Sequence, residues 1–184
     1  IALLLIRSIR IIPQATAGVV ERLGRFHNVL NAGVNLVFPF IDVIRRTIDL
    51  REQVVDFRPQ SVITEDNLVV SIDTVIYYQV TDSKSATYEI NHFVLGIEQL
   101  TVQSLRNVVG SLDLEKALTS RDTINKALRS VLDEATGKWG VRVNRVEIRD
   151  IVPPESVRDS MEKQMKAERE KRASILLAEG TKQA

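Results

Sequence analysis

An α+β fold ending in a long projecting helix is the class predicted for the 184-residue sequence, on three observations. Apolar and polar residues alternate through much of the first eighty positions, as they do in half-buried strands. From Asn91 the apolar period becomes helical, and after Gly140 it returns to alternation. Beyond Pro154 the chain is densely charged and carries few apolar residues, with no turn signal to stop it. A composition of 44% apolar and 27% charged residues is that of a packed globular chain.

The elements follow in order. "IALLLI" opens the sequence, with Arg7 and Arg10 close behind. Six apolar residues are far fewer than the roughly 20 that span a bilayer, so Ile1–Ile6 reads either as the end of a span begun upstream, with the arginines as its cytoplasmic flank, or as a short buried strand or helix end. "TAGVVERLGRFHNVLNAGVNLVFPF" reads as a strand, a glycine-marked turn and an irregular apolar segment in which Pro39 rules out a central strand. His27 falls in that turn. "TIDLREQVVDF" and "LVVSIDTVIYYQV" read as antiparallel strands joined at Thr64–Asn67. The second places Leu68, Val70, Ile72, Thr74, Ile76, Tyr78 and Val80 on one face, and Ser71, Asp73, Tyr77 and Gln79 on the other.

Two amphipathic helices come next. Ile97, Leu100, Ser104, Leu105 and Val108 mark the first, which ends at Gly110; Ile124, Leu128, Val131, Leu132, Ala135 and Trp139 mark the second, which ends at Gly140. In "VRVNRVEIRDI" the valines at 141 and 143 are out of phase with Val146 and Ile148, which predicts a bulge near Asn144 or Arg145. Pro154 is placed to begin the last helix. Val157, Met161 and Met165 form a one-sided stripe there, which meets Glu168, Arg169 and Arg172 before resuming at Leu176 and Leu177. A helix from Glu155 to Ala184 would be about 45 Å long, too long and too sparsely apolar to rest on its own domain. It therefore projects, and Val157, Met161, Met165, Leu176 and Leu177 are the candidate contacts between copies, packed as a palisade in a ring or cage. A solvated helix is the plainer alternative.

Chemistry is scarce. A formal charge of +1 gives no field for nucleic acid, and without cysteine there are no disulfides or thiolate ligands. His27 and His92 lack paired-ligand spacing, and no nucleophile elbow, phosphate loop or dinucleotide fingerprint occurs. "TEDN", with Glu65 and Asp66, has too few ligands for a calcium loop and reads as a turn; Asp82 reads as a turn or cap. No catalytic, cofactor or metal residue is nominated. The surplus apolar run Val37, Phe38, Pro39, Phe40 and Ile41 is either core filling or a shallow insertion into a lipid interface.

Five segments in this order carry a family resemblance: "IIPQATAGVVERLGRF", "AGVNLVFPFIDVIRR", "ITEDNLVVSIDTVIYYQV", "LTSRDTINKALRSVLDEATGKWGVRVNRVEIRDIVPP" and "MEKQMKAEREKRASILLAEGTKQA". Together they resemble the stomatin and prohibitin group, the SPFH or Band 7 domain, in its stomatin-like (paraslipin) branch. The resemblance implies an SPFH domain of two small α/β lobes. Residues 1–10 would end a membrane anchor, 11–82 form the first lobe, 83–153 the second, and 154–184 begin the assembly helix. It further implies membrane contact at Ile1, Leu3, Leu4, Leu5, Ile6, Val37, Phe38, Phe40 and Ile41. The implied function is a non-enzymatic, single-pass scaffold at the bacterial cell membrane, and the basic flank of Arg7 and Arg10 would put its domain in the cytoplasm. It would form large homo-oligomers that organise a membrane microdomain alongside a membrane protease or an NfeD-like membrane protein. A hydrolase or protease subunit and a monomeric lipid-binding module are the rival expectations.

Overall fold

The computed structural model describes residues 8–182, with side chains to residue 176. Among the described residues eight strands and five helices follow one another: β1 (Ile9–Ile12), β2 (Thr16–Arg22), β3 (Arg25–Leu30), β4 (Gly33–Leu36), β5 (Asp42–Asp49), β6 (Gln53–Ile63), β7 (Val69–Val80), α1 (Ser83–Tyr88), α2 (Phe93–Val109), α3 (Leu114–Thr119), α4 (Arg121–Gly137), β8 (Val141–Val152) and α5 (Glu155–Lys182). The class is α+β, as expected.

Three antiparallel sheets result: β1 with β4, β3-β2-β5, and β6-β7-β8. β7 carries the predicted alternation, burying Val70, Ile72, Thr74, Ile76, Tyr78 and Val80. One difference is Val75, which lies on the opposite face and is also buried. Against the inner face pack α2 and α4, the latter through Ile124, Leu128, Leu132 and Thr136 at four-residue spacing. Val131, expected on that stripe, lies at its margin and is exposed. The predicted bulge is present. Tyr77 pairs with Arg145 and Tyr78 with Val143, which leaves Asn144 as the extra residue. Asp82 caps α1, its carboxylate accepting from the Lys84 backbone N–H at 3.1 Å. Asp113 does the same for α3, accepting from the Lys116 N–H at 2.8 Å.

β2 is covered on both faces. Val19 joins the main core with Ile48, Phe57, Tyr78 and Phe93, whereas Val20 faces a small second core of Ile12, Leu30 and Val37. Gly18 shares the Val20 face, where an added Cβ would lie 3.2 Å from Ile12 Cδ1, so β1 can approach closely. The β6-β7-β8 sheet joins residues 53–80 to 141–152 and so runs across the division expected between residues 82 and 83. Ile9 and Arg10, expected to end an anchor, instead open β1. His27, expected in a turn, lies on β3, and the turn itself is at Leu23 and Gly24, both with positive φ. Pro154 precedes α5, its carbonyl accepting the Val157 and Arg158 N–H groups.

Candidate functional site

The surface that stands out is apolar. In the β1–β4 pair, Ile9 faces Leu36 and Ile11 faces Val34. The two-residue period therefore puts all four side chains on one face, with Ile12 and Arg10 on the other. That face is open, Ile11 being 74% and Leu36 79% exposed. The chain then turns through Phe38, Pro39, Phe40 and Ile41 into β5, and Phe40 is 82% exposed. The Leu23 N–H donates to the Ile41 carbonyl at 3.2 Å, which brings exposed Leu23 beside this turn.

The turn is braced. Asp42 accepts from Arg22 Nε at 2.6 Å and Nη2 at 2.9 Å, and from the Phe38 N–H at 3.0 Å. Its own N–H donates to the Phe38 carbonyl at 3.0 Å, and the Arg22 guanidinium lies 5.1 Å from the Phe38 ring centroid. Phe40 sits at φ 72°, a conformation that costs a non-glycine residue about 1–3 kcal/mol and persists only where surroundings enforce it. Large apolar side chains are thus held out by a polar clamp beneath them.

That clamp titrates. Hydrogen bonds from Arg22 lead the causes that hold the Asp42 carboxyl down at about 2, against an unfolded value of about 3.9. The folded state thus prefers the carboxylate more strongly than the unfolded chain does. The stabilisation is complete above the unfolded value and is lost as pH falls from about 4 toward 2. Urea unfolding of Asp42→Asn should therefore show its largest deficit against wild type above pH 4 and a narrowing one at lower pH. A deficit that stays constant through the acid range would remove the clamp from this account.

Among the residues expected to meet a membrane, Phe38, Phe40 and Ile41 are exposed together. Val37 is corrected: at 7% exposure it belongs to the second core, and its N–H donates to the Ser8 carbonyl at 2.8 Å, so it anchors the turn from inside. Ile1, Leu3, Leu4, Leu5 and Ile6 lie outside the described residues. The surface also recruits Ile9, Ile11, Leu23, Val34, Leu36 and Val43, none of them singled out from sequence. The available signal was the alternation of Ile9 with Ile11 and of Val34 with Leu36, each too short to read alone.

On α5, Val157 and Met161 are partly buried against the main core and dock the helix to its own domain. Met165 and Leu176 are exposed, as is Ile175; the side chain of Leu177 lies outside the described set. Arg172 donates to Glu168 at 2.6 Å across the same stripe. The structure does not bring these positions together with the apolar turn into a single site.

The acidic turn is occupied by its own fold. Asp66 accepts from the Thr64 hydroxyl and, at 3.4 Å, from the Leu114 N–H, which lower its pKa, and the Glu65 N–H donates to the Leu112 carbonyl at 2.9 Å. Among the described residues, no group of three or more His, Cys, Asp or Glu side chains is placed to hold a metal ion. No described helix is long and apolar enough to cross a membrane.

The chain has relatives among known proteins. The profile of the family described as SPFH domain / Band 7 family matches residues 10–182. An uncharacterised protein of Mycobacterium bovis is 59% identical over 177 residues, 96% of this chain and 46% of its own length. One from Methanocaldococcus jannaschii is 42% identical, covering 97% of this chain and 89% of its own length. Stomatin-like protein 2, mitochondrial, of Homo sapiens is 38% identical over 94% of this chain and 49% of its own length. The chain spans about half the length of several of the curated relatives it matches, including the mycobacterial and human ones.

Proposed function

The chain belongs to the SPFH domain / Band 7 family, and from that premise we propose that it is the membrane-seated domain of an oligomeric scaffold. The scaffold is anchored by a single span at the cell membrane, with the domain on the cytoplasmic side, and has no reaction of its own. Copies assemble through α5 into a ring or cage that organises a membrane microdomain and confines membrane proteins, a membrane protease or an NfeD-like membrane protein among them.

One observation carries the reading: the exposed apolar face of β1–β4 continues into the Phe38–Ile41 turn. Large apolar side chains clustered on a surface mark an interaction site. In the sequence "IALLLI" stands shortly before Ile9, which supports lipid as the occupant. Assembly draws its support from α5, whose Met165, Ile175 and Leu176 are exposed beyond the two residues that dock it.

The test uses the full-length protein carrying a photoreactive phenylalanine analogue at position 40. Burying a phenylalanine contributes about 2 kcal/mol, which populates the inserted ring about thirtyfold over the withdrawn one. Illumination of native membranes should therefore give acyl-chain adducts at position 40 and none from the same analogue at Arg129, which is exposed on α4. Mild detergent should release particles of many protomers. Adducts to protein or water alone at position 40, or protomer-sized particles, would overturn the scaffold.

A further inference from the structure

Beside the apolar surface, an open cleft of about 750 Å³ lies between the start of β1, the segment around Pro39 and Phe40, and the start of β5. Ile9, Pro39, Phe40 and Val43 give it apolar walls, and its charged groups are Asp42 and Arg10. Asp42 is already satisfied by Arg22 and the Phe38 N–H, and its side chain is only 4% exposed. Arg10 is exposed, and among the described residues its side chain makes no ion pair or hydrogen bond. Its cross-strand neighbour Asn35 directs its amide at the Asn31 and Gly33 carbonyls, at 2.8 and 3.1 Å. The cleft therefore holds one uncompensated positive charge against an apolar wall.

In bulk water such an arginine needs no partner. At a lipid interface the same guanidinium loses hydration, and its planar fork matches two oxygens of a phosphate. A ligand that satisfies both halves of the cleft has an anionic phosphate joined to a hydrocarbon tail. We infer that the Arg10 cleft seats the phosphate of an anionic phospholipid, with the adjoining chain lying along Phe40 and Val43. This rests on the reading that the neighbouring surface meets the membrane.

The full-length protein in a neutral detergent is titrated with dioctanoyl phosphatidylglycerol, dioctanoyl phosphatidylcholine and inorganic phosphate, and binding is followed by thermophoresis. Phosphatidylglycerol should bind about fivefold more tightly than phosphatidylcholine, the contribution of one basic side chain near an anionic surface. Arg10→Gln should erase that gap, weakening phosphatidylglycerol more than phosphatidylcholine, whereas Arg129→Gln on α4 should preserve it. Inorganic phosphate should not saturate where the lipid does. A gap that survives Arg10→Gln, a gap equally lost in Arg129→Gln, or phosphate binding as tightly as phosphatidylglycerol overturns the assignment. Phe40→Ser should weaken both lipids alike; if it weakens neither, the membrane surface and the acyl seat along Phe40 both fail, while the Arg10 comparison still decides the phosphate seat.

Discussion

Truncating Leu128 to alanine lowers the stability of the domain by about 2–5 kcal/mol, read as a fall in the urea midpoint at unchanged slope. Leu128 is fully buried at the centre of α4, between Ile124 and Leu132 on the stripe that faces β8 and α2. The cost of such a truncation depends on whether the helix can settle into the space left behind. Here it is held on both sides of the gap. The Ile148 N–H donates to Asn125 Oδ1 at 3.0 Å, and the Val143 N–H donates to Asp133 Oδ1 at 3.2 Å. Moving α4 inward would break these bonds and expose the β8 edge whose N–H groups they satisfy. The effect therefore belongs in the upper half of the range. Val131→Ala on the same helix, at an exposed position, should stay within about 0.5 kcal/mol of wild type. A Leu128→Ala loss below about 1 kcal/mol would mean that α4 relaxes freely, contrary to this packing.

Features whose signal is local were legible in the sequence. β7 shows its period over twelve residues, α4 places Ile124, Leu128 and Leu132 at regular spacing, and the phase slip at Asn144 announces its own bulge. Asp82 is a residue type that seeks a neighbouring backbone N–H, and it found one. The candidate site was legible only at Phe38–Ile41, where apolar side chains crowd around a proline. Its other half depends on β1 pairing with β4, two four-residue strands that are too short for a period and whose contact is not local. Val37 went the other way. It sits among the same apolar residues, but the extended backbone alternates direction, so Val37 points into the second core while Leu36 and Phe38 point out. The clamp was invisible for a similar reason: Arg22 and Asp42 are twenty positions apart and meet through the β2–β5 register, which pairs them directly. The helices α1 and α3, of six residues each, complete less than two turns and leave no helical period to detect.

Gly140→Ala should destabilise the domain by on the order of 3 kcal/mol, because two penalties coincide there. At φ +66° the backbone is in the left-handed region, where a Cβ is strained. That Cβ would also lie 2.4 Å from the Asp82 carbonyl oxygen, a backbone atom with no rotamer by which to withdraw. Nor can the Gly140 carbonyl move independently, since it accepts from the Thr81 and Asp82 N–H groups at 2.8 and 3.1 Å and from the Thr81 hydroxyl at 3.2 Å. Displacing Asp82 disturbs the cap of α1, whose carboxylate also accepts from the Ser85 hydroxyl at 2.6 Å. Gly137→Ala is the control of opposite sign. Nothing lies within 4 Å of its added Cβ and it is in α4, so it should stabilise by about 0.5–1 kcal/mol. Thermal unfolding of the two variants side by side distinguishes the cause, and equal signs would refute it. The residue after Gly140, Val141, pairs with Val80, so the strain falls where β8 enters its sheet.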